Sequence, residues 1–285
     1  MNGWLRNTED NELLRESFYI KKSKEIRLKC LNMVKKAKRG HLGGTFSIID
    51  ILVVLYYGKY LQLYRKNSYR GDSVIIGKGH ANLAFLNIWN ELGFISDDVL
   101  QSYGVNGKIG GQLDTTNHMI IDNITGSLGH AIGIASGICL ADRLNKTSYK
   151  SIAIVGDGEM EEGSIWESMN FASKQKLDNL LCIVDRNRLS VTHFIENDNL
   201  EEKAKSFGWN VYTVDGHNHS NIERILDMFF INRGAPFYTD FGKPTMIIAN
   251  TIKGKGVSFM ENEYKWHHGC PSDEEYEQAI SELEI

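Results

Sequence analysis

The sequence lacks any long hydrophobic run. Its longest, FSIIDILVVLYY from Phe46, is about a dozen residues, carries Asp50, and is too short to span a bilayer. The opening stretch, MNGWLRNTEDNELL, is too polar for a signal peptide. No sign of charge dominates either. A formal net charge of −4 gives no general attraction to nucleic acid or to an anionic membrane, so neither is expected as a partner. Cysteine is sparse: Cys30, Cys139, Cys182 and Cys270 are scattered without a CxxC pair, which argues for reduced thiols in a cytoplasmic protein rather than a disulfide framework. Cys139 and Cys182 sit inside apolar runs and read as small core residues. There is no internal repeat, no low-complexity tract and no long Pro/Gly linker. What is present is enough apolar material, 42% of 285 residues, for a real core, and the chain reads as a single domain over 1–285.

The apolar material comes in short continuous runs: SIAIV at 151–155, LLCIV at 180–184, VYTV at 211–214 and TMIIA at 245–249, with a shorter one in DSVIIGKGH. Helical patterns fall at 21–39, 47–61, 129–144, 161–176 and 221–232. The lysines of 21–39 read as an ordinary solvated helix face. Strands that are apolar throughout and alternate with helices predict an α/β fold, a parallel sheet covered by helices on both faces. Ligands bind such sheets beyond the carboxyl ends of the strands. That directs attention to the loops at 77–80, 156–163, 185–193 and 215–219.

In IVGDGEMEEGSIWES, Asp157 leaves a strand between Gly156 and Gly158. Glycine lets a backbone approach a ligand closely, and a carboxylate there suits magnesium, which takes oxygen ligands and commonly holds phosphates. The plain alternative is a turn with Asp157 as a helix cap. Thirty residues on, CIVDRNRLS leaves a second buried strand and offers the Asn187 amide oxygen and the Leu189 carbonyl, further hard ligands for the same ion. HHGC at 267–270 is too compact, and too isolated, for a tetrahedral zinc site.

This pairing of GDG with a later Asn resembles the diphosphate-binding motif of thiamine diphosphate enzymes. The blocks GHLGGTFSIIDIL, GKGHANLAFL, TGSLGHAIGIASG, GDGEMEEGSIWES, DGHN and TIKGKGVSFMEN come in the order seen in transketolase. The chain is similar, from about residue 20 to its end, to the amino-terminal subunit of a split transketolase. The resemblance implies the thiamine diphosphate-binding fold and transfer of a two-carbon ketol unit from a ketose to an aldose. It also implies magnesium and thiamine diphosphate as cofactors, and a carboxyl-terminal partner subunit supplying the pyrimidine-binding domain in an α2β2 assembly. By that resemblance Asp157, Asn187 and the Leu189 carbonyl hold the metal, and Gly156 and Gly158 approach the diphosphate. His80 contacts diphosphate, His41 faces substrate, and Ser127 and Leu128 shape the thiazolium side. Glu162 lies near the subunit contact, and His267 or His268 reaches the cofactor.

Two departures bear on substrate. Where the family has Gly-His-Pro this chain has GKIGGQLD, with Gly111 and Gln112, and His130 replaces a more usual Gln in SLGH. Rival readings keep the cofactor and change the reaction: a deoxyxylulose phosphate synthase, or a 2-oxoacid dehydrogenase component. A haloacid-dehalogenase-like phosphatase would need a DxD motif after an early strand, which is missing. A non-catalytic module that kept only the fold is the last alternative.

Overall fold

The computed structural model describes residues 9–63, 71–105, 108–113, 123, 125–190, 193–195, 199–231 and 242–284. Five strands form one sheet: β1 (Ser73–Ile76), β2 (Ser151–Gly156), β3 (Leu180–Arg186), β4 (Asn210–Asp215) and β5 (Thr245–Asn250). Their order is β1-β2-β3-β5-β4, and every pairing is parallel. All five lie where the apolar runs predict, within a residue or two at each end.

The helices are α1 (Glu9–Ala37), α2 (Leu42–Tyr57), α3 (Asn82–Glu91), α4 (Asp97–Gln101), α5 (Ala131–Leu144), α6 (Gly163–Lys174), α7 (Leu200–Ser206), α8 (His219–Ile231) and α9 (Asp273–Glu284). Alternate strand residues serve two separate cores. Ile152, Ile154, Leu181, Ile183 and Ile247 pack with α1, α2, α3 and α8. Ala153, Val155, Cys182, Val184 and Ile248 pack with α5, α6 and α7. β2, β3 and β5 are thus apolar on both faces because both faces are covered, while the edge strand β4 is only partly buried. Cys139 and Cys182 are core residues, as their setting predicts, and burial pushes the Cys139 thiol up to about 12.

α2 is buried from Leu42 to Tyr56, as expected of a helix that is hydrophobic all round. It starts five residues before the 47 predicted. Helix propensity argues against Gly43 and Gly44 in a first turn, but packing demands them. A Cβ on Gly43 would stand 2.8 Å from the Trp266 carbonyl oxygen, and one on Gly44 2.8 Å from His80 Nε2.

The parallel arrangement brings all five strand ends to one edge. Beyond it, Gly77 N–H donates to the Ile154 carbonyl at 2.8 Å, Asp157 N–H to Asp185 at 3.2 Å, Thr251 N–H to Arg186 at 3.1 Å and Gly216 N–H to Asn250 at 2.8 Å. The amino end of α2 meets the same edge, where Gly254 N–H donates to the Gly43 carbonyl at 3.0 Å.

Candidate active site

The two central strands, β2 and β3, set the middle of the site. Their register pairs Gly156 with Asp185, so Asp157 and Asn187 leave neighbouring strands one step apart. Asp157 is buried at 3% exposure. Its Oδ1 accepts the Gly158 N–H at 2.9 Å and its Oδ2 the Arg188 N–H at 2.5 Å. The cap role therefore holds, and it leaves the carboxylate beside the second loop. Burial, then the nearby Asp185, push the Asp157 carboxyl up to about 6. Such a group favours a cation beside it. Asn187 Oδ1 accepts the Leu189 N–H at 3.1 Å, and its Nδ2 reaches Ser47 Oγ at 3.4 Å.

Three charged residues that no sequence motif singles out complete this layer. Lys78, from GKGH, is 2% exposed and its ammonium bonds the Asp185 carboxylate and the Gly44 carbonyl, the latter at 3.0 Å. Asp185 also accepts from Ser47 Oγ at 2.6 Å and from Thr251 Oγ1. Lys253, from KGKG, reads in sequence as part of a mobile loop near the cofactor. It is buried at 1% exposure, and its Nζ lies 3.2 Å from the Leu189 carbonyl, 2.9 Å from that of Ser190 and 3.2 Å from His267 Nδ1. Burial, then Lys78, lower the Lys253 ammonium to about 8.

Above this layer four histidines meet. The His41 ring centroid is 5.6 Å from that of His80, 5.5 Å from His267 and 4.6 Å from His268, and His80 is 5.2 Å from His267. His267 is the inner of the adjacent pair, between Lys253 and His80, while His268 is exposed on the outer side of His41. Burial, then His268 and Lys253, lower His41 to about 4. Burial, then Lys253, bring His267 to about 4 as well, and burial with Lys78 holds His80 well below its usual value. All three are neutral at neutral pH, each with one donor and one acceptor nitrogen. Among the described residues, His41 Nδ1 is buried with no hydrogen-bond partner.

The low His41 value gives a stability prediction. Between about 6.5 and about 4 the unfolded chain protonates this ring and the folded chain does not, so stability at this group falls as pH falls. His41→Phe removes that penalty. Chemical denaturation should show the variant gaining on the wild type as pH is lowered through this window. A difference independent of pH would contradict the neutral assignment.

Ser127 and Leu128 are exposed in a loop turned by Gly126 and Gly129, at φ 115° and 88°. Glu159 anchors that loop by accepting the Gly129 N–H at 2.9 Å, and burial pushes its carboxyl up to about 7. Glu162 is exposed at the start of α6, against Gly129. Gly111 faces the His41 ring, with 3.6 Å from its Cβ position to His41 Cε1, and the Gln112 amide oxygen lies over Gly79. His130 is exposed at the start of α5.

Among the described residues no three His, Cys, Asp or Glu side chains gather as a metal site. One carboxylate, one amide and one carbonyl nonetheless suit magnesium, which completes its octahedron with water and phosphate oxygens. Two features fit a metal-held diphosphate here. The Cβ direction of Gly156 opens onto empty space, and the Leu189 carbonyl already faces a cation, the Lys253 ammonium.

Residues 20–283 match the family described as transketolase, thiamine diphosphate binding domain. The chain is 34% identical over 268 residues to an apulose-4-phosphate transketolase subunit of Phocaeicola vulgatus, covering 92% of each. It is 32% identical to a 6-deoxy-6-sulfo-D-fructose transketolase subunit of Clostridium sp., covering 91% of this chain and 94% of that one. Human transketolase is 32% identical, but the match takes in 90% of this chain and only 41% of the human one. Among solved structures, transketolase from Campylobacter jejuni superposes with a TM-score of 0.84 at 24% identity, over 94% of this chain and 43% of that chain. The likeness to that structure is one of fold.

Proposed function

The chain belongs to the family of transketolase thiamine diphosphate-binding domains, and on that footing we propose that it is the amino-terminal subunit of a two-subunit transketolase. In this reading the whole chain is one diphosphate-binding domain, it works with magnesium thiamine diphosphate, and it moves a two-carbon ketol unit from a ketose to an aldose. The observation that carries the reading is the convergence of Asp157, Asn187 and the Leu189 carbonyl at two adjacent strand ends, beneath a cluster of neutral histidines. The experiment is calorimetric titration of thiamine diphosphate, with and without magnesium, into the chain assembled with its partner. Metal-dependent binding supports it, and its absence overturns it.

The cofactor supplies the nucleophilic carbon and the electron sink. This chain's residues act around it. Asp157, Asn187 and the Leu189 carbonyl hold the metal, the open Gly156 side admits phosphate oxygens, and the Lys253 and Lys78 ammoniums add positive charge beside them. His80 contacts diphosphate, and His41 and His267, neutral and at the mouth, exchange protons with substrate hydroxyls. His268 stands at the entrance. Ser127 and Leu128 border the thiazolium, and Glu162 faces the subunit contact.

The partner subunit would bring the pyrimidine-binding domain, in an α2β2 assembly. Support comes from relatives of about this chain's length that are named as subunits. No described helix is long and apolar enough to cross a membrane; the cytoplasmic assignment rests on the scattered, unpaired cysteines.

Gly111 and Gln112 set a prediction about substrate. Glycine beside His41 offers only backbone, and glutamine a neutral amide, where a histidine would donate to the sugar. Loss of such a bond costs about ten- to a hundredfold in preference when it is charge-assisted. We expect a substrate other than the usual pentose and hexose phosphates. The names of the relatives, for apulose 4-phosphate and for a sulfonated deoxyfructose, support a ketose with an altered distal end. A substrate panel on the reconstituted enzyme checks this. Xylulose 5-phosphate and ribose 5-phosphate as the best pair by a wide margin would contradict it.

A further inference from the structure

Behind the cofactor loops lies a charged cluster that takes no part in the chemistry above. Asp50, in the middle of α2, accepts from Arg27 Nη1 at 3.1 Å and Nη2 at 2.7 Å, and from His217 Nδ1 at 2.6 Å. His219 Nε2 lies 3.3 Å from its other oxygen, and His219 Nδ1 is 2.9 Å from Glu16 Oε1. Burial works against a charge on His219, but Asp50 and Glu16 outweigh it and hold the ring above its ordinary value. Arg27 and the hydrogen bonds from His217 and His219 thus compensate the burial of the Asp50 carboxylate and hold it well below the usual range.

His217 differs from its neighbour. Its Nε2 accepts the backbone N–H of Ile252 at 2.9 Å. A ring nitrogen that accepts an N–H carries no proton, so the ring is neutral and its proton sits on Nδ1, toward Asp50. Ile252 is the residue before Lys253. The same cluster also touches the far end of that loop, where the Cβ direction of Gly256 meets Arg27 Cδ at 3.2 Å. No other described contact links the buried cluster to the Lys253 backbone so directly.

We propose that His217 is a positioning residue: in its Nδ1-protonated form it accepts the Ile252 N–H, fixes the 251–257 loop, and so holds Lys253 against the Leu189 and Ser190 carbonyls at the diphosphate side of the site. The proposal rests on the reading of that site given above. Its sequence signal is the histidine of DGHN, to which the family resemblance attaches no role.

The test compares three variants of the full chain. His217→Phe keeps the ring and removes the acceptor. His217→Gln places an amide oxygen within reach of Ile252, and His217→Asn keeps an amide donor toward Asp50 but is too short for Ile252. Hydrogen–deuterium exchange of the 251–257 peptide, without cofactor, should be about tenfold faster in the Phe and Asn variants, the usual scale for one lost buried hydrogen bond. The Gln variant should stay near the wild type, and the β3 peptide should be unchanged in all. Thiamine diphosphate Kd, measured with magnesium and the partner, should rise about tenfold for Phe and Asn and recover for Gln. If the Phe variant does not fold, the Gln and Asn pair carries the comparison. Wild-type exchange in the Asn variant, or a Gln variant as impaired as Asn, overturns the proposal. Failure of the wild type to bind thiamine diphosphate instead refutes the function, since the exchange measurement needs no cofactor.

Discussion

Asp157→Ala should abolish magnesium-dependent binding of thiamine diphosphate in the assembled enzyme. The reason is the charge at the strand ends. Asp185 is already committed to Lys78, Ser47 and Thr251, so no neighbouring carboxylate can take over as the anionic ligand. Changes one shell beyond a metal commonly cost about 10- to 100-fold in affinity, and loss of the anionic ligand itself should exceed that. Asn187→Ala removes a neutral ligand and should cost less, about tenfold. Asp157→Asn keeps an acceptor for only one of the Gly158 and Arg188 N–H groups, which bond different oxygens, and deletes the charge, so it should lose binding nearly as fully as the alanine variant. Calorimetry with and without magnesium distinguishes these outcomes. Unchanged affinity in Asp157→Ala would sink the site assignment.

The second large effect is on activity. The purified chain alone should show no ketol transfer, and activity should appear when a subunit carrying the pyrimidine-binding domain is added. The chain spans about two fifths of the solved transketolases it resembles, and exposed apolar residues on α5, α6 and the loop before α5 offer one surface for a partner. Leu128 is 40% exposed, Ile134 37%, Leu144 75% and Phe171 42%. Along α5, exposed Gly133, Gly137 and Ala141 let another backbone come close. The contact surface for the partner is expected around 160–175, beside Glu162. Phe171 falls in that stretch, and the exposed apolar face extends onto α5. Phe171→Asp should therefore weaken assembly at least about tenfold, by desolvating an unpaired charge, with the chain still folded. Sedimentation and a coupled ketol-transfer assay read both effects. Robust transfer by the chain alone would show the split arrangement wrong.

Much of the scaffold is legible in the sequence, and the reason is visible in the strands. SIAIV, LLCIV and TMIIA are apolar at nearly every position, Ser151 and Thr245 excepted, because both sides of each of these strands face a core, which is a pattern a short window detects. The amino end of α2 is hidden by its glycines, since only the folded packing of Trp266 and His80 against them shows why they are helical. Asp157, Asn187 and Leu189 can be located because a strand end followed by glycine or asparagine is a local signal. Lys78 and Lys253 cannot. A lysine in a glycine-rich loop looks like surface until Asp185, 107 residues from Lys78, arrives from another strand to neutralise it. The histidine cluster joins residues 41, 80, 267 and 268 across most of the chain, so its members come from family resemblance and their mutual contact from the fold. The adjacent His267 and His268 are indistinguishable by sequence. The bond from Lys253, the ring contact with His80 and the exposure of His268 separate the inner ring from the outer.

The most direct test is to find the metal. Crystals of the assembled enzyme grown with thiamine diphosphate, and with manganese in place of magnesium, should give one strong anomalous peak per chain at this edge of the sheet. That peak is expected within coordination distance of the Asp157 carboxylate, the Asn187 amide oxygen and the Leu189 carbonyl, with Lys253 displaced toward the phosphates. A peak bound elsewhere, or cofactor density with no metal beside Asp157, would contradict the assignment of the site.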